Sequence, residues 1–187
     1  MKLDPHHTAL LVMDYQLGIP EMLPDKGATV IANTANVIAA ARGKGIAVIY
    51  VVVGFRHGYP EVNPNNAGFA AVAKSGRMQG TSAADVLPEV APAGNEPVVI
   101  KRRVGAFHGT DLEIILKAKQ IDTLVMAGVS TSGVILSTVR HAADADYKIV
   151  ILRDCCQDRD DEVHRVLMDK VFARHTVTTA SELLADL

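Results

Sequence analysis

The chain has few cysteines: only Cys155 and Cys156, which are adjacent in the sequence. Adjacent cysteines rarely bond to each other, because so short a loop strains the disulfide. Two reduced thiols are typical of a cytosolic protein. The first residues also lack an apolar segment followed by a small-residue cleavage site. We therefore expect a cytoplasmic protein.

The chain also lacks a strong excess of charge and a long apolar run. Its formal net charge is -2 and its pI about 6.4, so nucleic acid is not an expected partner. No apolar run reaches the ~18 residues of a membrane span, so we expect no membrane partner either. The length of 187 residues, with 49% hydrophobic and 21% charged residues, predicts a single domain over residues 1–187.

A glycine-rich coenzyme turn is absent as well. After the first apolar run the chain reads DYQLGIPEML, where a dinucleotide-binding enzyme needs the glycines of its phosphate-binding turn. This absence argues against a nucleotide-dependent oxidoreductase, and we predict no cofactor.

Short apolar runs alternate with helical patterns along the chain. The runs predict buried strands at 8–14, 46–53, 98–101, 122–128, 148–154 and 176–179. Apolar residues at helical spacing predict helices at 28–45, 109–119, 137–146, 161–173 and 180–187. Thr110 and Glu113 have the spacing of a capping box. The alternation predicts an α/β protein with a six-stranded, mainly parallel, doubly wound sheet, in three layers.

Residues 54–97 interrupt this alternation, because glycine, proline and asparagine crowd the segment and leave room for short helices only. So long a connection in a compact domain is usually functional. The sequence leaves two interpretations open: a lid or substrate wall, and a surface excursion that forms part of a subunit interface.

Polar residues follow several of the predicted strands. Asp14 follows the first, Lys101 ends the third, and the stretch GVSTSGVILST, residues 128–138, follows the fourth. Ligands of open parallel sheets bind outside the carboxyl ends of the strands. A carboxylate and an ammonium at that edge can hold each other charged and move protons. Taken singly, Asp14 could instead cap a turn and Lys101 could reach solvent.

Three of these stretches resemble the isochorismatase-like hydrolases, a superfamily that includes nicotinamidases, N-carbamoylsarcosine amidase and the isochorismatases. Asp14 with Gln16 matches an Asp-x-Gln motif, KRRVGAFHGTDL (residues 101–112) matches the lysine segment, and GVSTSGVILST matches Gly-x-x-Thr-x-x-Cys-Val-x-x-Thr. The resemblance covers nearly the whole chain. It implies the fold of that superfamily, a small-molecule substrate and a homodimer or homotetramer.

The resemblance also implies the residues of an active site. The amidase branch has a triad of aspartate, lysine and cysteine, with the cysteine three residues after the motif threonine, here Thr131. That position is Val134, which cannot attack a carbonyl. The isochorismatases also lack the cysteine, and their aspartate acts as acid and base in hydrolysis of a vinyl ether. The implied catalytic residues are therefore Asp14 and Lys101.

Further positions follow from the same resemblance. A cis peptide bond is expected at Val129–Ser130, and the oxyanion turn comprises Val129, Ser130 and Thr131. The substrate-pocket candidates are Gln16, Phe107, Ser132 and Gly133. The nicotinamidase branch binds a divalent ion through an Asp-x-His pair, whereas this chain has only Arg56-His57-Gly58 there. We therefore predict no metal site.

Three functions remain open at this stage. The first is a hydrolase of a small organic acid or ether that works through Asp14 and Lys101 without a thiol. The second is an amidase in which Ser130 or Ser132 attacks, although no histidine is evident as its base. The third is a binding protein of the same fold that lost catalysis together with the cysteine.

Overall fold

The computed structural model describes residues 2–19, 23, 27–82 and 85–187. Its strands are β1 (Thr8–Met13), β2 (Ala47–Val53), β3 (Val98–Lys101), β4 (Thr123–Val129), β5 (Lys148–Gln157) and β6 (Thr176–Thr178). Its helices are α1 (Gly27–Gly43), α2 (Ala67–Ser75), α3 (Leu112–Ala118), α4 (Leu136–Asp144), α5 (Asp161–Val166) and α6 (Ala180–Asp186). A short 3₁₀ helix spans Pro88–Val90, and π-helical turns span Thr131–Ile135 and Leu167–Val171.

The six strands form one sheet in the order β3-β2-β1-β4-β5-β6, and every neighbouring pair is parallel. Strand β1 lies in the middle of the sheet. Strands β2 and β3 follow on one side of it, and β4, β5 and β6 follow on the other. Reversal of the strand order between β1 and β4 creates the crevice where ligands of such sheets bind. The predicted α/β class and doubly wound parallel sheet are confirmed.

Helices cover both faces of the sheet, which is why its central strands are apolar throughout. All six residues of β1 are buried. On one face the core contains residues of α3 and α4, such as Leu116 and Val139, together with Phe172. On the other face it contains residues of α1 and α6, such as Ile38 and Leu183. The result is the predicted arrangement of three layers.

The end of β5 differs from the sequence prediction. Strand β5 does not end at Asp154 but continues to Gln157, with a shift in its register against β4 between Met126 and Gly128. Charged Arg153 and Asp154 suggested a strand end, but they sit at this irregularity. Cys155 and Cys156 therefore lie inside the strand, buried and unpaired.

The predicted capping box at α3 is wrong. The helix begins at Leu112, and its N-cap residue, Asp111, makes no side-chain capping bond. The Thr110 hydroxyl instead donates to the carbonyl of Ala106 at 2.7 Å. Thr110 and Glu113 therefore have the spacing of a capping box but do not form one.

Within residues 54–97 the structure has one regular α-helix, α2, in the part of the segment that it describes. Glu61 ties the preceding loop to the body of the protein, because its carboxylate accepts from Arg56 at 2.7 Å and from Arg102 at 2.9 Å. Phe55 and Phe69 contact each other edge to face, with ring centroids 5.3 Å apart. These contacts hold α2 over the carboxyl edge of the sheet.

No helix in the part of the chain that the structure describes is both long enough and apolar enough to cross a bilayer.

Candidate active site

Asp14 begins the site, in the first position after β1. Its backbone has a φ of 60°, in the left-handed region that ends a strand and that aspartate tolerates better than most residues. Its amide donates to the carbonyl of Val51 at 2.8 Å, so the turn is fastened to the neighbouring strand β2. The carboxyl group is left at the carboxyl edge of the sheet, almost fully buried.

Lys101 reaches the same point from β3, the edge strand. Its Nζ lies 2.9 Å from Oδ2 of Asp14, and its side chain is 3% exposed. The ammonium also donates to the carbonyl of Arg103 at 3.2 Å. The predicted convergence of Asp14 and Lys101 is thus a direct, buried ion pair.

The two oxygens of Asp14 differ in their surroundings. Oδ2 is held by Lys101, whereas Oδ1 is buried without a hydrogen-bond partner among the residues that the structure describes. Burial raises the pKa of the Asp14 carboxyl above its ordinary value, and the Lys101 ammonium lowers that pKa only in part. A carboxyl with a raised pKa keeps its proton more readily, as a general acid must.

The turn after β4 forms the other side of the site. The Val129–Ser130 peptide bond is cis, as the resemblance implied. The carbonyl of Ser130 accepts from the amides of Gly133 and Ile135, each at 3.3 Å. An added Cβ at Gly133 would lie 2.7 Å from Oγ of Ser130. A side chain at position 133 would therefore require Oγ of Ser130 to move.

Two side chains from beyond β5 hold this turn in place. Nδ1 of His164 and the hydroxyl of Thr131 are hydrogen-bonded at 2.8 Å. Oδ2 of Asp158 accepts from the amide of Ser132 at 2.6 Å. Thr131 is fully buried, so its hydroxyl serves the architecture of the turn.

A cavity of about 360 Å³ lies between these groups and α2. Its polar lining residues are Asp14, Lys101, Ser130, Ser132, Asp158 and Arg159, and its remaining lining residues are Ile19, Leu23, Val53, Phe69, Val72, Met78, Val104, Val129, Gly133 and Val134. A cavity with apolar walls and a few convergent polar groups is the usual form of a small-molecule site.

The cavity contains most of the residues singled out from the sequence. Thr131 and two of the pocket candidates, Gln16 and Phe107, are absent from its lining. Both polar atoms of the Gln16 amide bond to the main chain of Val53: Nε2 donates to the carbonyl at 2.9 Å, and Oε1 accepts from the amide at 2.7 Å. Phe107 stacks on the imidazole of His141, with a centroid distance of 4.4 Å.

Sequence reasoning missed Asp158, His164 and the apolar wall formed by Phe69 and Val72. Asp158 lay four residues beyond the predicted end of β5, so nothing placed it at the sheet edge. His164 falls within the helix predicted over 161–173, where no sequence signal marks it as a site residue. The signal that existed was a general one: residues 54–97 were expected to supply either a substrate wall or an interface, and α2 does line the cavity.

A second buried amide, that of Gln157, contrasts with that of Gln16. Gln157 ends β5 opposite Val129 and is 4% exposed. Neither Nε2 nor Oε1 has a hydrogen-bond partner within the described part of the chain. A buried amide in this state lowers stability, because it gave up its hydrogen bonds to water without replacement.

Metal-binding groups do not gather at the cavity. Within the described ranges, no three histidine, cysteine, aspartate or glutamate side chains are grouped closely enough to hold an ion.

Comparisons with known proteins agree with this geometry. A family model described as an isochorismatase domain matches residues 8–182. The chain is 33% identical to an isochorismatase-family protein of Escherichia coli O157:H7, YecD, over 93% of this chain and 92% of that protein. It is 28% identical to maleamate amidohydrolase of Pseudomonas putida, over 96% and 86% of the two chains. Among solved structures, an isochorismatase-family protein of Burkholderia thailandensis superimposes with a TM-score of 0.80 at 25% identity, covering 100% of this chain and 97% of the other.

Proposed function

Since the chain belongs to the isochorismatase family of hydrolases, we propose that it hydrolyses a small organic molecule in the cavity beneath α2, with Asp14 as the acid. The substrate we propose is a vinyl ether or a related organic acid. One observation carries this assignment: Oδ1 of Asp14, in a carboxyl of raised pKa that lines the cavity, has no partner among the described residues. It is the atom of the carboxyl whose hydrogen-bonding capacity no described residue uses.

Hydrolysis of a vinyl ether suits this arrangement because it begins with protonation. Asp14 transfers its proton to the terminal carbon of the vinyl group, and the ether becomes an oxocarbenium ion. Water adds to the cationic carbon and returns a proton to the Asp14 carboxylate, so the acid is regenerated. The resulting hemiketal then separates into an alcohol and a carbonyl compound. Lys101 stabilises the carboxylate while it lacks its proton.

The residue at the proposed nucleophile position supports a mechanism without a thiol. Val134 lines the cavity and is 2% exposed, but it has no atom that can attack. Cys155 and Cys156 are buried within β5, and burial raises the pKa of Cys155 to about 12. Burial raises the pKa of the Cys156 thiol as well, and neither cysteine is among the residues that line the cavity, so we propose neither as the nucleophile.

Amide hydrolysis assisted by Ser130 is the second candidate. It is favoured by the position of Ser130 in the cavity and by the similarity to maleamate amidohydrolase. His164 is hydrogen-bonded to the hydroxyl of the neighbouring residue, Thr131. A member of the fold that binds its ligand without turnover would keep the cavity and lack both activities.

We further propose that the chain is cytoplasmic, needs no cofactor and self-associates. Support for self-association comes from α2, whose sequence AGFAAVAKS is mainly apolar although none of its residues is buried. Such a helix loses exposed apolar surface when a second copy covers it.

A screen of substrate classes separates these activities. Small vinyl ethers, amides and carbamoyl compounds are offered to the parent chain, Asp14→Asn, Ser130→Ala and Val134→Cys. We expect the parent to release a carbonyl compound from a vinyl ether, and Ser130→Ala to do the same. Release of ammonia from an amide by the parent, abolished in Ser130→Ala, would establish the second candidate instead. Amide hydrolysis gained only in Val134→Cys would show that the site lacks nothing but the thiol.

A further inference from the structure

Asp158 places a second carboxylate in the wall of the cavity. It lies immediately after β5, lines the cavity and is 6% exposed. Two main-chain amides hold it: that of Ser132 donates to Oδ2 at 2.6 Å, and that of Arg159 donates to Oδ1 at 2.9 Å. These two hydrogen bonds fix the orientation of the carboxylate in the cavity wall.

No side-chain ion pair to this carboxylate is present among the residues that the structure describes. The Lys101 ammonium, which also lines the cavity, is paired with Asp14. Arg159 is exposed and also lines the cavity, and its main-chain amide is the group that donates to Asp158. The negative charge of Asp158 therefore faces a cavity whose walls are largely apolar, where electrostatic interactions are stronger than in water.

We propose that Asp158 determines the specificity of the cavity by binding a ligand group that carries N–H donors, namely an amino, carboxamide or ureido group. Each oxygen of an ionised carboxylate can accept two hydrogen bonds, and the main chain uses one on each. A ligand N–H group can donate to the remaining acceptor position of either oxygen. A cationic ligand would also neutralise the buried negative charge. A ligand carboxylate at the same place is repelled.

This inference rests on the proposed function in one respect only, that the cavity is where the substrate binds. Asp14 supplies the proton and Asp158 selects the group at the other end of the substrate. If Asp14 proves not to be the acid, the preference of Asp158 for ligands with N–H donors can still be measured by binding alone.

Binding of four small probes tests the proposal on the parent protein. Crotonamide and but-2-en-1-amine carry N–H donors, whereas crotonate and methyl crotonate have nearly the same carbon frame without them. Kd values are measured by following amide resonances in NMR titrations. We expect both donor probes to bind at least about tenfold more tightly than crotonate, the range of one hydrogen bond to a charged group. A stronger preference for the amine would identify charge as the main factor, and equal binding of amine and amide would identify hydrogen bonding.

A pair of variants locates the preference. Asp158→Asn keeps the size of the side chain and removes its charge, and we expect it to lose most of the preference for but-2-en-1-amine. Asp160→Asn is the matched control, because Asp160 is an exposed N-cap of α5 outside the cavity lining, and asparagine caps equally well. The preference should persist in this control.

Three results would overturn the proposal. Crotonate binding to the parent as tightly as the donor probes is the first, and it needs no variant to fold. Failure of both donor probes to bind is the second. The third is an unchanged preference in Asp158→Asn.

Discussion

Nζ of Lys101 lies 2.9 Å from Oδ2 of Asp14, although strand β2 separates β1 from β3 in the sheet. The ion pair therefore crosses the carboxyl end of β2, and β2 contributes neither of the two residues. It is possible because Asp14 turns toward β2, where its amide bonds to Val51, and because the long lysine side chain extends from the last residue of β3. The pair joins the Asp14 carboxyl to the edge strand of the sheet.

Removing the lysine should destabilise the protein strongly. Lys101→Met leaves the Asp14 carboxylate buried without its counter-charge, which costs about 3–5 kcal/mol of the free energy of unfolding. The double variant Asp14→Asn with Lys101→Met removes both charges and should recover much of that loss. Lys148→Met is the control, because the Lys148–Asp122 pair is largely exposed and should change stability by less than about 1 kcal/mol. Urea unfolding of the four proteins measures these differences, and a double variant less stable than Lys101→Met would contradict the account.

The effect of Lys101→Met should depend on pH in a defined direction. Burial raises the pKa of Asp14 in the folded protein above 3.8, its ordinary value, and loss of the Lys101 ammonium raises that pKa further. A group with a raised folded pKa stabilises the fold below its unfolded pKa, and this stabilisation is lost as pH rises through its folded pKa. The stability deficit of Lys101→Met should therefore be small near pH 4 and grow toward neutral pH. A deficit that stays constant over this range would mean that Asp14 does not take up the proton.

The two buried glutamines should respond oppositely to the same substitution. Gln16→Leu breaks two hydrogen bonds to Val53 and leaves main-chain groups unpaired, so it should lower stability by about 1–3 kcal/mol. Gln157→Leu removes an amide that has no partner among the described residues, so stability should stay level or rise by about 1 kcal/mol. Thermal unfolding of both variants measures the contrast. An equal loss in the two would show that Gln157 makes contacts as good as those of Gln16.

We expect the protein to form an oligomer of two or more chains in solution. Sedimentation equilibrium at micromolar concentration should give at least twice the 20.0 kDa of one chain. Ala71 is an exposed residue of α2, and Ala71→Arg should weaken association if α2 is the contact. A mass of 20.0 kDa for the parent would refute the prediction.

Some of the site could be predicted because parallel strands end at one edge of a sheet. Asp14, Lys101 and the turn at Ser130 each lie at the end of an apolar run, and that placement predicted that they would lie close together, while the family resemblance implied their roles. Gln16 follows the same logic but points elsewhere, because its partner is the main chain of Val53, 37 residues away. No local pattern reveals such a contact.

Other parts depended on packing that the sequence does not display. The charged residues Arg153 and Asp154 looked like the end of β5, yet the strand continues through two buried cysteines and so delivers Asp158 to the cavity. None of the residues of helix α2 is buried. The sequence of α2 therefore did not show which of its side chains would line the cavity. Both features arise from tertiary contacts, an irregular register against β4 and the packing of Phe69 on Phe55.

The most direct test of the central claim compares Asp14→Asn with a chain in which both cysteines are replaced by alanine. Turnover of the vinyl ether substrate is measured for each, after circular dichroism has shown that each is folded. We predict that Asp14→Asn loses ~10²–10⁴-fold in kcat, the contribution of general acid–base catalysis. The Cys155→Ala/Cys156→Ala chain should retain the parent's rate. Turnover by Asp14→Asn as fast as that of the parent would contradict the assignment of Asp14 as the acid.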